Sequence, residues 1–258
     1  MDLGIRGRKA IVCASSKGLG RGCAMALAEA GCELVVNGRD VEILARTADE
    51  LRAFGVSVTE VAGDVSTKDV QQALIAACPE PDILVNNNGG PPHRDFRELK
   101  REAMLDGVVQ NMITPIELIQ AAIDGMAERG FGRIVNITSL SVYLPLSGLD
   151  LSSGARAGLT AFLAGVSRTV ADRNVTINNI LPGKFDTDRS RAGLRFAAEK
   201  SGESEEERAS KVAASIPAKR LGNPDEFGRA CAFLCSSHAG YITGQNLVID
   251  GGLYSSAF

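Results

Sequence analysis

The chain alternates short apolar segments with longer segments of helical spacing, and this alternation limits its fold more than any other feature. The apolar segments predict strands over 9–14, 33–37, 57–62, 82–86, 132–137, 175–181 and 246–250. The intervening segments predict helices over 20–30, 41–54, 68–77, 101–129, 156–173 and 225–236. Short strands that are apolar throughout are typical of a parallel sheet with helices on both faces. The sequence therefore predicts an α/β fold, a doubly wound parallel sheet of about seven strands.

Length and composition limit the class of protein. The 258 residues suit one large α/β domain, so we expect a single domain over 1–258. A net charge of −3 provides no field that would attract nucleic acid or anionic lipid. We find neither the apolar core of a signal peptide nor an apolar run of membrane-spanning length, so we expect a cytoplasmic protein without a membrane partner. The six cysteines are scattered and form no CxxC pair, which favours buried thiols over a metal site.

One segment, 184–215, is charged and less regular than the rest. Within it, Ser204 followed by Glu207 is typical of a capping box that opens a short helix. The segment is either a solvated insertion or a substrate lid, and we favour the lid because ligands of open α/β sheets bind at the carboxyl ends of the strands. Its Arg189, Arg191 and Arg195 could meet an anionic substrate, although surface charge is the ordinary role of such residues.

A glycine-containing loop joins the first predicted strand to the first helix. The loop consists of Ala14, Ser15, Ser16, Lys17, Gly18, Leu19 and Gly20. Glycines in this position let the backbone approach a pyrophosphate, and the helix N-terminus offers free N–H groups and a positive dipole end. The loop therefore predicts a dinucleotide-binding site.

Motifs over the whole chain then resemble those of the short-chain dehydrogenases/reductases. The loop is similar to the family motif TGxxxGxG, with Cys13 and Ala14 where Thr and the first Gly usually stand. Later segments are similar to the family's further motifs, in the same order: Gly63-Asp64-Val65, Asn86-Asn87-Asn88-Gly89, Leu181-Pro182-Gly183 with Thr187, the run 241–245 and Asp250-Gly251-Gly252. The chain is similar to a divergent group of 3-oxoacyl-[acyl-carrier-protein]-reductase-like proteins that lack the full catalytic set.

The resemblance implies a Rossmann-like fold and a nicotinamide dinucleotide cofactor. Besides the loop, the residues it implies as cofactor contacts are Asp64, Val65, Asn87, Gly89, Pro182, Gly183 and Thr187. NAD-preferring relatives place an Asp after the second strand, where this chain has Gly38 followed by Arg39. With Lys17 in the loop, two cations and no carboxylate suit a 2′-phosphate, so NADP is predicted over NAD.

The family's Asn–Ser–Tyr–Lys catalytic set is matched only in part. Asn111 and Ser139 stand where the family Asn and Ser are expected, but Ser152 and Arg156 stand where it has Tyr and Lys. A serine hydroxyl is far less acidic than a tyrosine and cannot simply replace it as a general acid. Arg156 keeps a positive charge that can hold ribose hydroxyls, but it does not readily relay a proton.

Two other residues are candidates for the missing proton donor. Tyr143 follows Ser139 by four residues, and its alternative role is a pocket wall or half-buried aromatic. His93 lies in the loop after the fourth strand, and solvent exposure is its more ordinary role. Water and the substrate itself are further sources of the proton.

We therefore expect an NADP-dependent oxidoreductase with an atypical active site that acts on a small carbonyl or alcohol. A catalytically silent NADP-binding or regulatory protein is one alternative, motivated by the loss of both Tyr and Lys. A non-redox lyase or isomerase is another. The resemblance also implies a homo-oligomer, a tetramer or dimer built on the long helices and the C-terminal strand.

Overall fold

A computed structural model describes residues 1–91 and 93–256. Its strands are β1 (Lys9–Val12), β2 (Glu33–Gly38), β3 (Val58–Ala62), β4 (Ile83–Asn86), β5 (Gly132–Ile137), β6 (Val175–Pro182) and β7 (Asn246–Ile249). Its α-helices are α1 (Gly18–Glu29), α2 (Val41–Arg52), α3 (Lys68–Ala77), α4 (Arg101–Val108), α5 (Thr114–Glu128), α6 (Asp150–Thr169), α7 (Asp188–Ser201), α8 (Glu205–Ser215) and α9 (Pro224–Leu234).

The strands form one sheet in the order β3-β2-β1-β4-β5-β6-β7, and every adjacent pair is parallel. The predicted doubly wound parallel sheet is thus confirmed. The strand order reverses direction between β1 and β4, where Val12 is level with both Val36 and Val85. A crevice outside the carboxyl ends of the strands at such a reversal is the ordinary ligand site of this architecture.

Apolar side chains cover both faces of the sheet. On one face Val12, Val36, Val85 and Val135 join the core beneath α1, α2 and α9, and on the other the preceding residues of the same strands join the core beneath α3, α5 and α6. Because successive strand residues point to opposite faces, a strand buried on both sides must be apolar at every position. This is why the central strands read as unbroken apolar runs.

The predicted continuous helix over 101–129 is wrong. The structure has α4 and α5 separated by a π-helical turn, Val109–Ile113. Pro115 lies in the first turn of α5 and has no N–H to bond to the preceding turn. The backbone there widens instead of continuing as a regular α-helix.

Two further boundaries differ from the prediction. The helix predicted over 156–173 begins at Asp150 and ends at Thr169, which places Ser152 and Arg156 one turn apart on α6. The segment 184–215 is less irregular than predicted, since α7 and α8 occupy most of it. The predicted capping box is confirmed: Ser204 Oγ accepts from the Glu207 N–H, and the Glu207 carboxylate accepts from the Ser204 N–H.

Over the two ranges that the structure describes, every helix is too short or too polar to cross a membrane. All six cysteines are buried and free of disulfides, as predicted. Burial raises the pKa of the Cys13 and Cys32 thiols to about 12.

Candidate active site at the carboxyl edge of the sheet

The conformation of the turn after β1 is stabilised by hydrogen bonds to amide side chains of neighbouring segments. Ala14 adopts a left-handed conformation with φ of +43°. Its N–H donates to Asn37 Oδ1 at 3.1 Å, and its carbonyl accepts from Asn87 Nδ2 at 3.1 Å. The Asn37 amide also donates to the carbonyls of Val61 and Gly63. One side chain of β2 thus ties together the carboxyl ends of β1, β2 and β3.

The N-terminus of α1 faces the crevice without a side-chain cap. Lys17 precedes the helix in an extended conformation and makes no capping hydrogen bond. A Cβ at Gly20 would lie 2.3 Å from the Ala14 carbonyl oxygen, so only glycine lets the loop fold back onto the helix at this distance. Uncapped N–H groups and the helix dipole fit the pyrophosphate of a dinucleotide.

The end of β2 has no space for an acidic side chain. A Cβ at Gly38 would lie 2.7 Å from Ser16 Cβ, and Ser16 is held in place because its carbonyl accepts from Thr47 Oγ1. The nearby Asp40 caps α2, where its side chain accepts from the Ile43 N–H. Lys17 and Arg39 are exposed, and neither forms an ion pair with another residue in the described ranges. The edge therefore offers two unpaired cations, which fit a 2′-phosphate.

The turn after β3 provides a third contact region. Val65 is buried, and the Asp64 carboxylate accepts from both the backbone and the hydroxyl of Ser66. Burial raises the pKa of Asp64, but the Ser66 hydrogen bonds and the charge of Arg39 outweigh it, so the pKa lies below its ordinary value. The carboxylate stays ionised and holds the turn in its conformation.

The segment after β6 closes the crevice from the opposite side. The Gly183 N–H donates to the Ile249 carbonyl, and a Cβ at Gly183 would lie 2.5 Å from Asp250 Cβ. Thr187 caps α7, and its methyl group lies 3.7 Å from the position a Cβ would take at Gly18. The predicted cofactor residues of the first loop and of the PGxxxT-like segment therefore face each other.

Ser139 lies just beyond β5 and is half-buried. Its Oγ accepts from the Ser141 N–H at 3.1 Å, which leaves the hydroxyl proton free to donate elsewhere. A serine in this position can hold a carbonyl oxygen.

Ser152 and Arg156 form a buried pair on α6, with 7% and 8% of their surfaces exposed. Arg156 Nε donates to Ser152 Oγ at 3.3 Å, Nη1 to the Ile137 carbonyl at 2.6 Å and Nη2 to the Asn88 carbonyl at 3.4 Å. No described carboxylate forms an ion pair with it. Burial and the nearby charge of Arg189 lower the pKa of Arg156 to about 10, so the guanidinium stays protonated at neutral pH.

Asn111 lies in the π-helical turn and is 2% exposed. Its Nδ2 donates to the Gly107 carbonyl at 3.2 Å, while its Oδ1 has no hydrogen-bond partner among the described residues. A buried amide oxygen without a partner is costly, and a bound water would satisfy it.

Tyr143 contacts Asn246 and Tyr254. Its hydroxyl accepts from Asn246 Nδ2 at 2.7 Å, its ring stacks on Tyr254 with centroids 5.5 Å apart, and 39% of it is exposed. Its exposure agrees with the predicted half-buried aromatic, and because the hydroxyl accepts from Asn246, its own proton is not used in that bond. His93 is exposed, which agrees with its more ordinary role.

The three arginines at the start of α7 differ in their partners. Arg191 is paired with Asp186 and Arg195 with Glu205. Arg189 instead donates to the Pro91 carbonyl at 3.1 Å, and its guanidinium lies 3.2 Å from the position of a Cβ at Gly90. Sequence reasoning did not find Asn37 or Gly90, because the importance of both depends on side chains that come from other strands and loops.

Comparisons with known proteins agree with this geometry. A family model described as enoyl-(acyl carrier protein) reductase matches residues 13–254. The chain is 32% identical over 253 residues to 3-oxoacyl-[acyl-carrier-protein] reductase FabG of Escherichia coli, covering 98% of this chain and 99% of the relative. It is 31% identical to the NADPH-dependent reductase BacG of Bacillus subtilis, covering 96% and 98%.

Solved structures share the fold over almost the whole chain. L-sorbose reductase of Gluconobacter frateurii, in complex with NADPH and L-sorbose, matches with a TM-score of 0.94 and 29% identity, covering 99% of this chain and all of that one. The structure of YwfH, an NADPH-dependent reductase involved in bacilysin biosynthesis, matches with a TM-score of 0.91 and 30% identity, covering 97% and 99%.

Proposed function

The chain belongs to the short-chain dehydrogenase/reductase family, and we propose that it uses NADP to interconvert a small carbonyl compound and its alcohol at an atypical active site. The family and the oxidoreductase class agree with the motifs of the sequence. A 3-oxoacyl-like substrate is the first to test, since FabG is among the relatives. A fold alone does not specify a substrate, so the proposal rests on the site.

The crevice at the end of β2 is the observation that supports NADP most directly. Gly38 has no space for the carboxylate that would bind ribose hydroxyls, and Lys17 and Arg39 are unpaired among the described residues. Cations without a competing carboxylate form charge-assisted hydrogen bonds to a phosphate. The loop from Ala14 to Gly20 would hold the pyrophosphate, while Thr187 and Gly183 would lie beside the nicotinamide.

When bound, the cofactor supplies or accepts a hydride. The Ser139 oxygen accepts from the Ser141 N–H, so the hydroxyl proton is available and would donate a hydrogen bond to the substrate oxygen. Arg156 holds the ribose hydroxyls and places a positive charge near the oxygen that becomes negative. Neither Ser152 nor Arg156 gives up a proton readily, so the proton for reduction would come from the Tyr143 hydroxyl, from water or from the substrate itself.

Fluorescence titration with NADPH and NADH tests the cofactor. We expect saturable binding that favours NADPH, and Lys17→Gln or Arg39→Gln should weaken NADPH binding about tenfold while NADH binding changes little. Arg101→Gln, on α4, is the charge-matched control and should alter neither affinity. The absence of binding of either nucleotide would contradict the proposal that the protein is an oxidoreductase.

A catalytically silent NADP-binding protein is the second candidate. It is supported by the pair Ser152–Arg156 and by the Tyr143 hydroxyl, which contacts Asn246 instead of the pair. This candidate predicts NADPH binding without turnover on any carbonyl or alcohol. Steady nicotinamide oxidation matched to product by the unmodified protein would rule it out.

We also propose that α7 and α8 form a substrate lid, since Arg189 on α7 donates a hydrogen bond to the loop after β4.

Homo-oligomerisation through α4 and α6 is supported by their exposed apolar residues, Met104, Leu105 and Phe162. Size-exclusion chromatography with light scattering tests the oligomer, and a monomer at micromolar concentration would contradict it.

A further inference from the structure

A small cavity beside Ser152 has one arginine, Arg94, in its wall. The cavity is lined by Pro91, Arg94, Leu149 and Ser152, among others, and none of its lining residues is acidic. Arg94 forms no ion pair with any residue in the described ranges. An arginine at the wall of such a cavity provides donors to a ligand that enters it.

Arg189 and Ser152 both lie close to Gly90. The two terminal guanidinium nitrogens of Arg189 and the Ser152 hydroxyl oxygen lie within 3.5 Å of the position of a Cβ at Gly90. Because residue 90 is glycine, no side chain of its own lies against these polar groups. Behind Ser152, Arg156 donates to its oxygen, which leaves the Ser152 proton free to donate.

The buried Arg133 provides a contrast. Its guanidinium forms four hydrogen bonds of 2.8–3.1 Å to the carbonyls of Gly132, Asn174 and Ser236 and to Asn174 Oδ1, and the nearby Arg8 is paired with Asp82. Arg156 has three bonds, of which only the one to Ile137 is shorter than 3.3 Å, and its neighbour Arg189 has no carboxylate partner among the described residues. Two positive charges that lie close together, partly desolvated and without a carboxylate partner, repel each other. An anion bound between them relieves this repulsion.

From this arrangement we infer that the substrate carries an oxyanion, a carboxylate or a phosphate, which binds beside the reacting carbonyl to Arg189, Arg94 and the Ser152 hydroxyl. The inference rests on the proposed function, because it names the substrate class of the same site. Ser152 then acts as a hydrogen-bond donor to the substrate's anion, and the charge of Arg156 strengthens that donor. Arg191 and Arg195, whose charges are already paired, take no part.

Calorimetric titration of the NADP⁺-saturated protein tests the inference, since an oxidised cofactor and a ketone form a complex without turnover. Two matched pairs serve as probes: acetoacetate with methyl acetoacetate, and dihydroxyacetone phosphate with dihydroxyacetone. We expect the anionic member of one pair to bind about tenfold more tightly or better than its neutral partner. The pair that shows the preference distinguishes a carboxylate from a phosphate.

Arg189→Gln should remove the preference for the anionic probe over its neutral partner. Arg191→Gln, on the same helix and with the same change of charge, should leave that preference unchanged. Equal binding within both pairs, or an equal loss in the two variants, would overturn the inference. The same probes are titrated into the cofactor-free protein, and NADP⁺ binding is measured separately. A failure of cofactor binding would therefore count against the proposed function, while the anion preference is still measured.

Discussion

Ala14 adopts a backbone conformation that favours glycine. At φ of +43° its methyl group crowds the following carbonyl, which costs about 1–2 kcal/mol for an L-residue. The hydrogen bonds from Asn87 and to Asn37 keep the turn in this geometry despite the cost. Alanine at this position therefore adds a strain cost to the loop.

Ala14→Gly should stabilise the protein by about 0.5–1 kcal/mol, because relief of the strain exceeds the extra freedom of glycine in the unfolded chain. Urea unfolding followed by circular dichroism measures the change. The matched control is Ala53→Gly at the end of α2, where φ is −62° and the same substitution should be destabilising. Equal effects at the two positions would contradict the assignment of strain to Ala14.

In the proposed active site, Ser152 and Arg156 stand where the resemblance implies the family's Tyr and Lys. The double variant Ser152→Tyr with Arg156→Lys should raise kcat/KM for carbonyl reduction by about a hundredfold, the usual contribution of a general acid. Initial rates at the nicotinamide absorbance band measure it, with the two single variants as controls. A double variant that binds NADPH but gains no activity would show that the rest of the pocket is not competent.

Among the helices, α1 and α9 pack backbone against backbone. A Cβ at Gly228 would lie 2.0 Å from the Gly22 carbonyl oxygen, and a Cβ at Gly22 would lie 2.3 Å from the Pro224 carbonyl oxygen. Neither obstacle is a side chain that can rotate away. The close contact positions α1, whose N-terminus forms the nucleotide crevice, against the core of the domain.

Gly228→Ala should therefore destabilise the fold by about 1–3 kcal/mol through overpacking. Gly165→Ala on α6, where a Cβ would meet nothing within 4 Å, should instead stabilise it by about 0.5–1 kcal/mol through helix propensity. Chemical denaturation of both variants gives the comparison. A stabilising Gly228→Ala would show that the two helices can separate without cost.

Across the whole molecule, Arg133 connects segments that are distant in the chain. Only 1% of it is exposed, and it joins the start of β5 to Asn174 before β6 and to Ser236 after α9, with its guanidinium 4.3 Å from the Phe131 ring centroid. Its charge is satisfied by backbone carbonyls instead of a carboxylate. It thereby fixes the amino edge of the sheet, opposite the candidate site.

Arg133→Met should cost about 3 kcal/mol or more, because it leaves several buried carbonyls without a donor. The midpoint of urea unfolding should fall with little change in NADPH affinity, since the nucleotide crevice lies at the other edge. Arg168→Met, on the exposed face of α6, should change stability by no more than about 0.5 kcal/mol. A small effect at Arg133 would indicate that water replaces the guanidinium.

Sequence periodicity predicted most of the architecture, including the bounds of α3 and β5, because burial on both faces imposes an apolar pattern on each strand. Periodicity did not predict the structure correctly where the pattern of side chains leaves the backbone conformation undetermined. The π-helical turn before Pro115 interrupts a segment whose side chains still follow a helical period. Likewise, the early start of α6 lies in a region of small and polar residues with weak periodicity.

By itself the sequence determined the doubly wound parallel sheet, since the alternation of apolar strands and longer helices follows from local pattern, and its motifs identified the family. Only the tertiary structure decided that Tyr143 bonds to Asn246, that Gly38 excludes an acid through Ser16, and that Arg189 and Ser152 both lie beside Gly90. Such contacts join residues far apart in the chain, and their geometry depends on packing that no local pattern encodes.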